Sequence, residues 1–122
     1  MNIDMINKRL EIIQELQNEL NKLRTHYEET LENDPQFQKI QQEEEDVKKE
    51  SSASKEKKEK VLSTPSYKAI ADQIKEKRTE MKEHKEALSQ ELVDYYRENG
   101  TLEIEDPEGN VKRMKFSVKL VN

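Results

Sequence analysis

The chain has 122 residues, enough for one domain. Only 31% of the residues are hydrophobic and 40% are charged, a balance that excludes a wide globular core. The 27 acidic and 22 basic residues are interleaved, and only two glycines and three prolines occur, so the composition favours long, thin helices over a disordered chain.

The first predicted element is a helix of about 30 residues with one apolar seam. Its apolar lane recurs every seven residues and consists of Ile6, Ile13, Leu20 and Tyr27. A second lane with the same spacing consists of Tyr67, Ile74, Met81, Leu88 and Tyr95. Both lanes indicate helices that bury one narrow stripe against a partner helix.

The two lanes predict their own pairing. The residue numbers in each facing pair sum to 101 when Ile6 is paired with Tyr95, Ile13 with Leu88, Leu20 with Met81, Tyr27 with Ile74 and Ile40 with Val61. A constant sum is the condition for two antiparallel helices around a common tip. We therefore predict a mainly α fold, a long antiparallel two-arm coiled-coil hairpin whose tip lies near Glu50–Ser54, the serine cluster of the chain.

Each arm is predicted to break once. Pro35 and Pro65 both precede an aromatic residue by two positions, and proline is tolerated at the first position of a helix. Asp34 and Thr64 come directly before them and are suitable N-caps. The arms are therefore expected to be kinked near the two prolines.

After Gly100 the apolar period changes from helical to alternating. Thr101–Glu105 reads as a strand, and Asp106–Gly109 fits a type I turn with Gly109 in the left-handed region. The resulting register pairs Leu102 with Met114 and Glu103 with Arg113. Residues 1–100 are thus predicted to form the coiled-coil hairpin, and residues 101–122 a C-terminal β-hairpin packed at or near its base.

The second strand of this hairpin is predicted to run from Val111 to Val121, eleven residues against about five in the first strand. The overhang would leave an apolar strand without a neighbour, which is an association hazard. The predicted partner interface consists of Tyr96, Met114, Phe116, Val118 and Leu120.

The same strand is basic. Lys112, Arg113, Lys115 and Lys119 lie in a stretch without any acid, whereas residues 101–110 carry four acids. These four residues are a possible nucleic-acid contact. The competing interpretation, which we favour, is that they are charges that protect an edge strand from aggregation.

No residue pattern predicts catalysis or a cofactor. His26 and His84 do not face each other in the predicted register, and a metal site needs converging ligands. Glu43–Asp46 lacks the glycine and spacing of a calcium loop and is interpreted as a solvated helix face. We expect no enzyme activity, no metal, no cofactor and no small-molecule substrate.

The absence of cysteine and of an apolar run near the roughly 20 residues that span a bilayer favours a cytoplasmic protein without membrane contact. Our leading hypothesis is a non-enzymatic interaction or assembly module, in which the C-terminal strand mediates self-association or partner docking and the coiled coil acts as a spacer or clamp. The alternative is a factor associated with nucleic acid or ribonucleoprotein that uses the basic strand and the lysine-rich tip.

A third class comes from a resemblance. Coiled-coil arms joined to β structure resemble the general layout of prefoldin subunits, which implies a holdase chaperone. The order of elements differs, since prefoldin places its β-hairpins between the two helices and this chain predicts the β-hairpin after both.

Overall fold

The computed structural model describes residues 2–122 as four helices followed by a two-stranded antiparallel sheet. The elements are α1 (Ile3–Glu32), α2 (Pro35–Val47), α3 (Ser52–Leu62), α4 (Pro65–Asn99), β1 (Glu103–Glu105) and β2 (Val111–Arg113). The predicted mainly α fold with a terminal β-hairpin is confirmed. The coiled-coil arrangement of the arms stays a prediction. Within residues 2–122, none of the helices combines the length and the apolar character that crossing a bilayer demands.

Both predicted helix breaks are confirmed, but they are built differently. Asp34 caps α2, and its carboxylate accepts a hydrogen bond of 2.9 Å from the N–H of Gln36. The Thr64 hydroxyl instead donates to the carbonyl of Val61 at 2.7 Å. The predicted cap at Thr64 is therefore wrong in its detail, because this hydroxyl closes the end of α3 instead of beginning α4.

The tip lies slightly before its predicted position. Lys48 ends α2 in the left-handed conformation, with a φ of 52°. Ser51 then begins α3 through a reciprocal capping box, in which its hydroxyl accepts the N–H of Ser54 at 3.1 Å and its own N–H donates to the Ser54 hydroxyl at 2.9 Å. The serine cluster thus starts a helix, and residues 48–51 make the turn.

Opposite charges join α2 to α3 behind this turn. Lys58 lies 2.6 Å from Glu44, and Lys57 lies 3.1 Å from Glu43. The hydroxyl of Ser54 also donates to Glu44, at 3.1 Å. The ion pair lowers the pKa of Glu44 and raises that of Lys58, so the acidic side of α2 and the basic side of α3 pair across the turn.

Contacts divide the described chain into two compact units, each with its own core. In the unit formed by residues 18–79, one buried cluster consists of Ile40, Val61 and Tyr67. Here α1 and α4 run antiparallel, because Glu19 pairs with Lys77 at 2.9 Å whereas Tyr27, further along α1, meets Tyr67 near the start of α4. Ile40 and Val61, which the register pairs, share this core.

The other unit consists of residues 2–17 and 80–122. Its buried core contains one residue from α1, one from β1 and one that follows β2, namely Ile6, Ile104 and Met114. Around them pack Ile3, Leu10, Leu88, Leu92, Tyr95 and Leu102. The β-hairpin is therefore held against the two helices by a shared apolar core.

A hydrogen-bonded tyrosine links the two helix breaks in the unit of residues 18–79. The hydroxyl of Tyr67 donates to the carboxylate of Asp34 at 2.6 Å and lies 3.2 Å from the carbonyl of Thr30. Burial, together with this carboxylate, raises the pKa of Tyr67 to about 12. The hydrogen bond from Tyr67 lowers the pKa of Asp34, with help from the N–H groups of Gln36 and Phe37.

The Asp34 carboxylate should make stability depend on acidity. Its pKa in the folded chain is below the ordinary value of 3.8, so its contribution to folding is complete above that value and is lost as the pH falls through the lowered one. In Asp34→Asn, which keeps a capping side chain but does not titrate, the free energy of unfolding should fall less between about pH 5 and pH 2 than it does in the native chain.

Urea unfolding at several pH values, followed by circular dichroism, measures this. Tyr67→Phe removes the main cause of the lowered pKa and should also flatten the dependence. An Asp34→Asn variant with the native slope would contradict the expectation.

Candidate protein interface at the C-terminal segment

Asp106 organises the β-hairpin that carries the candidate interface. Its carboxylate accepts the N–H groups of Asn110 at 2.8 Å and Glu108 at 3.0 Å, and these bonds lower its pKa. Gly109 has a φ of 86° and donates to the Asp106 carbonyl at 3.0 Å, which closes the predicted turn. The turn therefore sets the register of the two strands.

That register agrees with the predicted one. Glu103 faces Arg113 in the ladder, and the N–H of Met114 donates to the carbonyl of Leu102 at 2.7 Å. The first strand is shorter than predicted and begins at Glu103. The N–H of Glu103 donates to the Thr101 hydroxyl at 3.1 Å.

The prediction of a second strand from Val111 to Val121 is wrong. β2 ends at Arg113, and residues 114–122 have no regular secondary structure. A strand is stabilised by hydrogen bonds to a neighbour, and β1 supplies neighbours only as far as Leu102 opposite Met114. The remaining residues keep their alternating sequence but have no strand to pair with.

The predicted continuous apolar face from Met114 to Leu120 consequently does not form. Met114 is 8% exposed and belongs to the core with Ile6 and Ile104. Its side chain holds the hairpin in place and contributes almost nothing to the outer surface. Met114 is therefore a core residue, which corrects its predicted assignment to the partner interface. The interface that remains starts two residues later.

Tyr96 and Phe116 form the inner end of that interface. Their ring centroids lie 5.3 Å apart at an interplanar angle of 53°, a tilted contact of the kind aromatic pairs favour. Both rings keep a large exposed fraction, 41% for Tyr96 and 45% for Phe116. The Tyr96 carbonyl accepts the N–H of Gly100 at 2.8 Å, so the end of α4 holds this tyrosine's backbone in place.

Beyond Phe116 the apolar side chains are free of the rest of the unit. Val118 and Leu120 are each 97% exposed, and Val121 is 81% exposed. Lone exposed apolar residues are common, but three within four positions next to an exposed aromatic pair are a patch. We call residues 115–122 the C-terminal segment.

The four basic residues proposed for nucleic-acid contact are all exposed. Lys112 lies 3.5 Å from the buried carboxylate of Asp106, and Arg113 faces Glu103 in the ladder. Lys115 and Lys119 lie beyond the ladder. Lys112 and Arg113 thus lie near acidic residues of the same hairpin. Lys115 and Lys119 expose their charges to solvent.

Sequence reasoning missed a polar cluster in the same unit. The guanidinium of Arg9 donates through Nε to Glu91 at 2.7 Å and lies 2.8 Å from Nδ1 of His84. Glu91 is only 8% exposed, so Arg9 neutralises a buried carboxylate. His84 and Glu91 are seven positions apart on one face of α4, and this spacing was the available signal.

Neither histidine has the surroundings of a metal ligand. No group of three or more His, Cys, Asp or Glu residues that could hold a metal ion occurs within residues 2–122. His26 lines an open concavity of about 590 Å³ with Asp34 and Tyr67, whose carboxylate and phenol are bonded to each other. Asp34 and Tyr67 at this concavity therefore serve the link between the helix breaks.

Comparisons with known proteins find no family model, no curated protein and no solved structure that matches this chain significantly. The feature of its own structure that calls for a function is the exposed C-terminal segment. It lies directly after a buried anchor, Met114, so that an exposed segment and a packed hairpin meet within a few residues.

Truncation of single side chains should separate the anchor from the interface. Met114→Ala should lower the free energy of unfolding by about 2–5 kcal/mol, because it leaves a cavity beside Ile6 and Ile104. Leu120→Ala should change it by less than about 0.5 kcal/mol, since its side chain is in water already. Urea unfolding measures both, and a comparable loss in the two variants would show that the C-terminal segment is part of the core.

Proposed function

We propose that this chain is a non-enzymatic, cytoplasmic module for protein interaction or assembly. Its C-terminal segment docks a protein partner or a second copy, and its helices act as a spacer or clamp. The observation that carries the proposal is the almost complete exposure of Val118 and Leu120 beside the Tyr96–Phe116 pair. Burial of such side chains against a partner is favourable by about 25 cal/mol per Å² of apolar surface.

The pattern of the segment favours docking as a strand. Phe116, Val118 and Leu120 alternate with Ser117 and Lys119, and an extended peptide of this kind can add to the edge of a sheet. Main-chain hydrogen bonds would then supply affinity, and the alternate apolar side chains would supply specificity. A partner with an open sheet edge thus suits the segment.

The groups with shifted pKa values support a module without catalysis. Asp34 caps a helix, Asp106 closes a turn, and Glu44 pairs with Lys58. Shifted pKa values occur at catalytic sites and also in ion pairs and hydrogen bonds that hold a fold together. Here each shift has its cause in a contact that holds the fold together.

Photo-crosslinking tests the proposal in the cells that make this protein. A photo-activatable phenylalanine analogue is placed at position 118 or 120 of the full chain and, as the matched control, at Val47, which is also apolar and 66% exposed. Positions 118 and 120 should give the same discrete adducts with protein. A peptide of residues 114–122 should compete with them, whereas a scrambled peptide should not.

The control position should give none of these adducts. If position 47 gives the same adducts, or if positions 118 and 120 give none, the C-terminal segment is not an interface and the proposal is wrong.

A second candidate function is nucleic-acid binding through Lys112, Arg113, Lys115 and Lys119. It is favoured by their common exposure within a stretch that contains no acidic side chain. The ion pair between Lys112 and Asp106 weighs against it, since it would have to compete with a phosphate.

Fluorescence anisotropy with a labelled single-stranded RNA and a labelled DNA duplex tests this candidate. Binding should weaken steeply with salt, and Lys115→Gln with Lys119→Gln should reduce the slope of log K against log salt by roughly 1.4–1.8. Native protein that binds neither probe at low salt would dispose of the candidate.

A further inference from the structure

The small sheet leaves its β1 edge open in a defined way. The N–H of Met114 donates to the Leu102 carbonyl at 2.7 Å, and the N–H of Asp106 donates to the Asn110 carbonyl at 2.8 Å. Hydrogen-bonded pairs alternate with non-bonded ones along an antiparallel ladder, so the backbone groups of Glu103 and Glu105 face away from β2. The Glu103 N–H donates to the Thr101 hydroxyl, which leaves the Glu105 N–H and the carbonyls of Glu103 and Glu105 for a new strand. An open edge of this kind is a template for another strand.

The two faces of β1 match the C-terminal segment. Ile104 is buried, whereas Glu103 and Glu105 on the opposite face are exposed. In the segment the apolar residues Phe116, Val118 and Leu120 alternate with Lys115, Ser117 and Lys119. One placement of the segment beside β1 therefore extends the Ile104 face with apolar side chains and sets the lysines beside the glutamates.

The charges of β1 and of the C-terminal segment are also complementary. Residues 101–110 contain four acids and no base, and residues 111–122 contain four bases and no acidic side chain. Within one chain the ladder uses part of this complementarity, through Lys112 with Asp106 and Arg113 opposite Glu103. Lys115 and Lys119 form no ion pair within residues 2–122, and their complement is the glutamate face of β1.

The C-terminal segment cannot reach the β1 edge of its own chain. Met114 is held opposite Leu102 on the β2 side of the hairpin, and the ring of Phe116 lies against Tyr96 just beyond it. To reach its own open edge, the segment would have to cross over β1 within the few residues after Phe116. A second copy has no such constraint, and two copies can exchange segments reciprocally about a two-fold axis.

We infer that the partner of the C-terminal segment is a second copy of this chain: residues 115–121 of each copy add as a β-strand to the open β1 edge of the other. This inference rests on the proposed function and names its partner. The exchange extends each two-stranded sheet to three strands, and it removes Val118 and Leu120 from water.

Charge reversal in the full-length protein tests the exchange. Glu105→Lys makes the edge less acidic without disturbing the Glu103–Arg113 pair, and Lys115→Glu with Lys119→Glu makes the segment acidic. Each variant alone should dimerise about tenfold more weakly than the native chain, because every dimer contains two such contacts. An equimolar mixture of the two variants should regain native affinity as a heterodimer, since both contacts are then between opposite charges.

Two further variants make the test specific. Glu108→Lys makes the same charge change in the turn, off the edge, and should leave dimerisation unchanged. Glu105→Pro removes an N–H that faces away from β2, so it should keep the hairpin but block strand addition. Circular dichroism checks the fold, and sedimentation velocity with light scattering measures mass over a wide range of concentrations.

The outcomes separate this inference from the proposed function. A chain that stays monomeric while positions 118 and 120 crosslink to other proteins overturns the second-copy inference and leaves the proposed function standing. A dimer that is insensitive to Glu105→Pro and to charge reversal overturns strand exchange in the same way. A monomer without crosslinks from the segment overturns both.

Discussion

The contact among Ile6, Ile104 and Met114 is the interaction on which the candidate interface depends. A two-stranded hairpin is marginal by itself in water, so the small sheet persists only because one residue from each of its halves is buried against α1. The anchor lies at the point where the second strand ends. The residues after Met114 lie outside this core, but the buried Met114 fixes the point from which they start.

A thin core also explains why polar contacts are so prominent. With few apolar residues to bury, the chain places Arg9 against the buried Glu91, and Tyr67 against the cap of α2. Such pairs add little stability when compared with apolar packing, but removal of one partner leaves a buried group without its counterpart. They therefore specify which helix faces meet, in a molecule whose apolar seams are narrow.

The C-terminal segment combines three properties that a folded monomer has reason to avoid: alternating apolar residues, exposure and the lack of a strand neighbour. Its lysines limit indiscriminate pairing with other edges, and the same lysines favour an edge that carries glutamates. Protection and specificity can thus come from the same residues. Lys115 and Lys119 can therefore protect the strand from aggregation and also serve the interaction module that we propose.

Local sequence determined a large part of this structure. Interactions within a few residues or one turn predicted the helix breaks at Pro35 and Pro65, the left-handed Gly109 and the register of Leu102 with Met114. The candidate residues Tyr96, Phe116, Val118 and Leu120 could likewise be chosen from their pattern alone.

Tertiary structure decided what pattern could not. Alternation from Val111 to Val121 predicts a strand, but a strand exists only where a neighbour supplies hydrogen bonds, and the short β1 ends that supply at Met114. The same constraint turned Met114 from an interface residue into a core residue. Tertiary structure also brought Arg9, Glu91 and His84 together from distant positions in the chain. The packing of helix faces decides whether a carboxylate is buried, and its neighbours in the sequence do not.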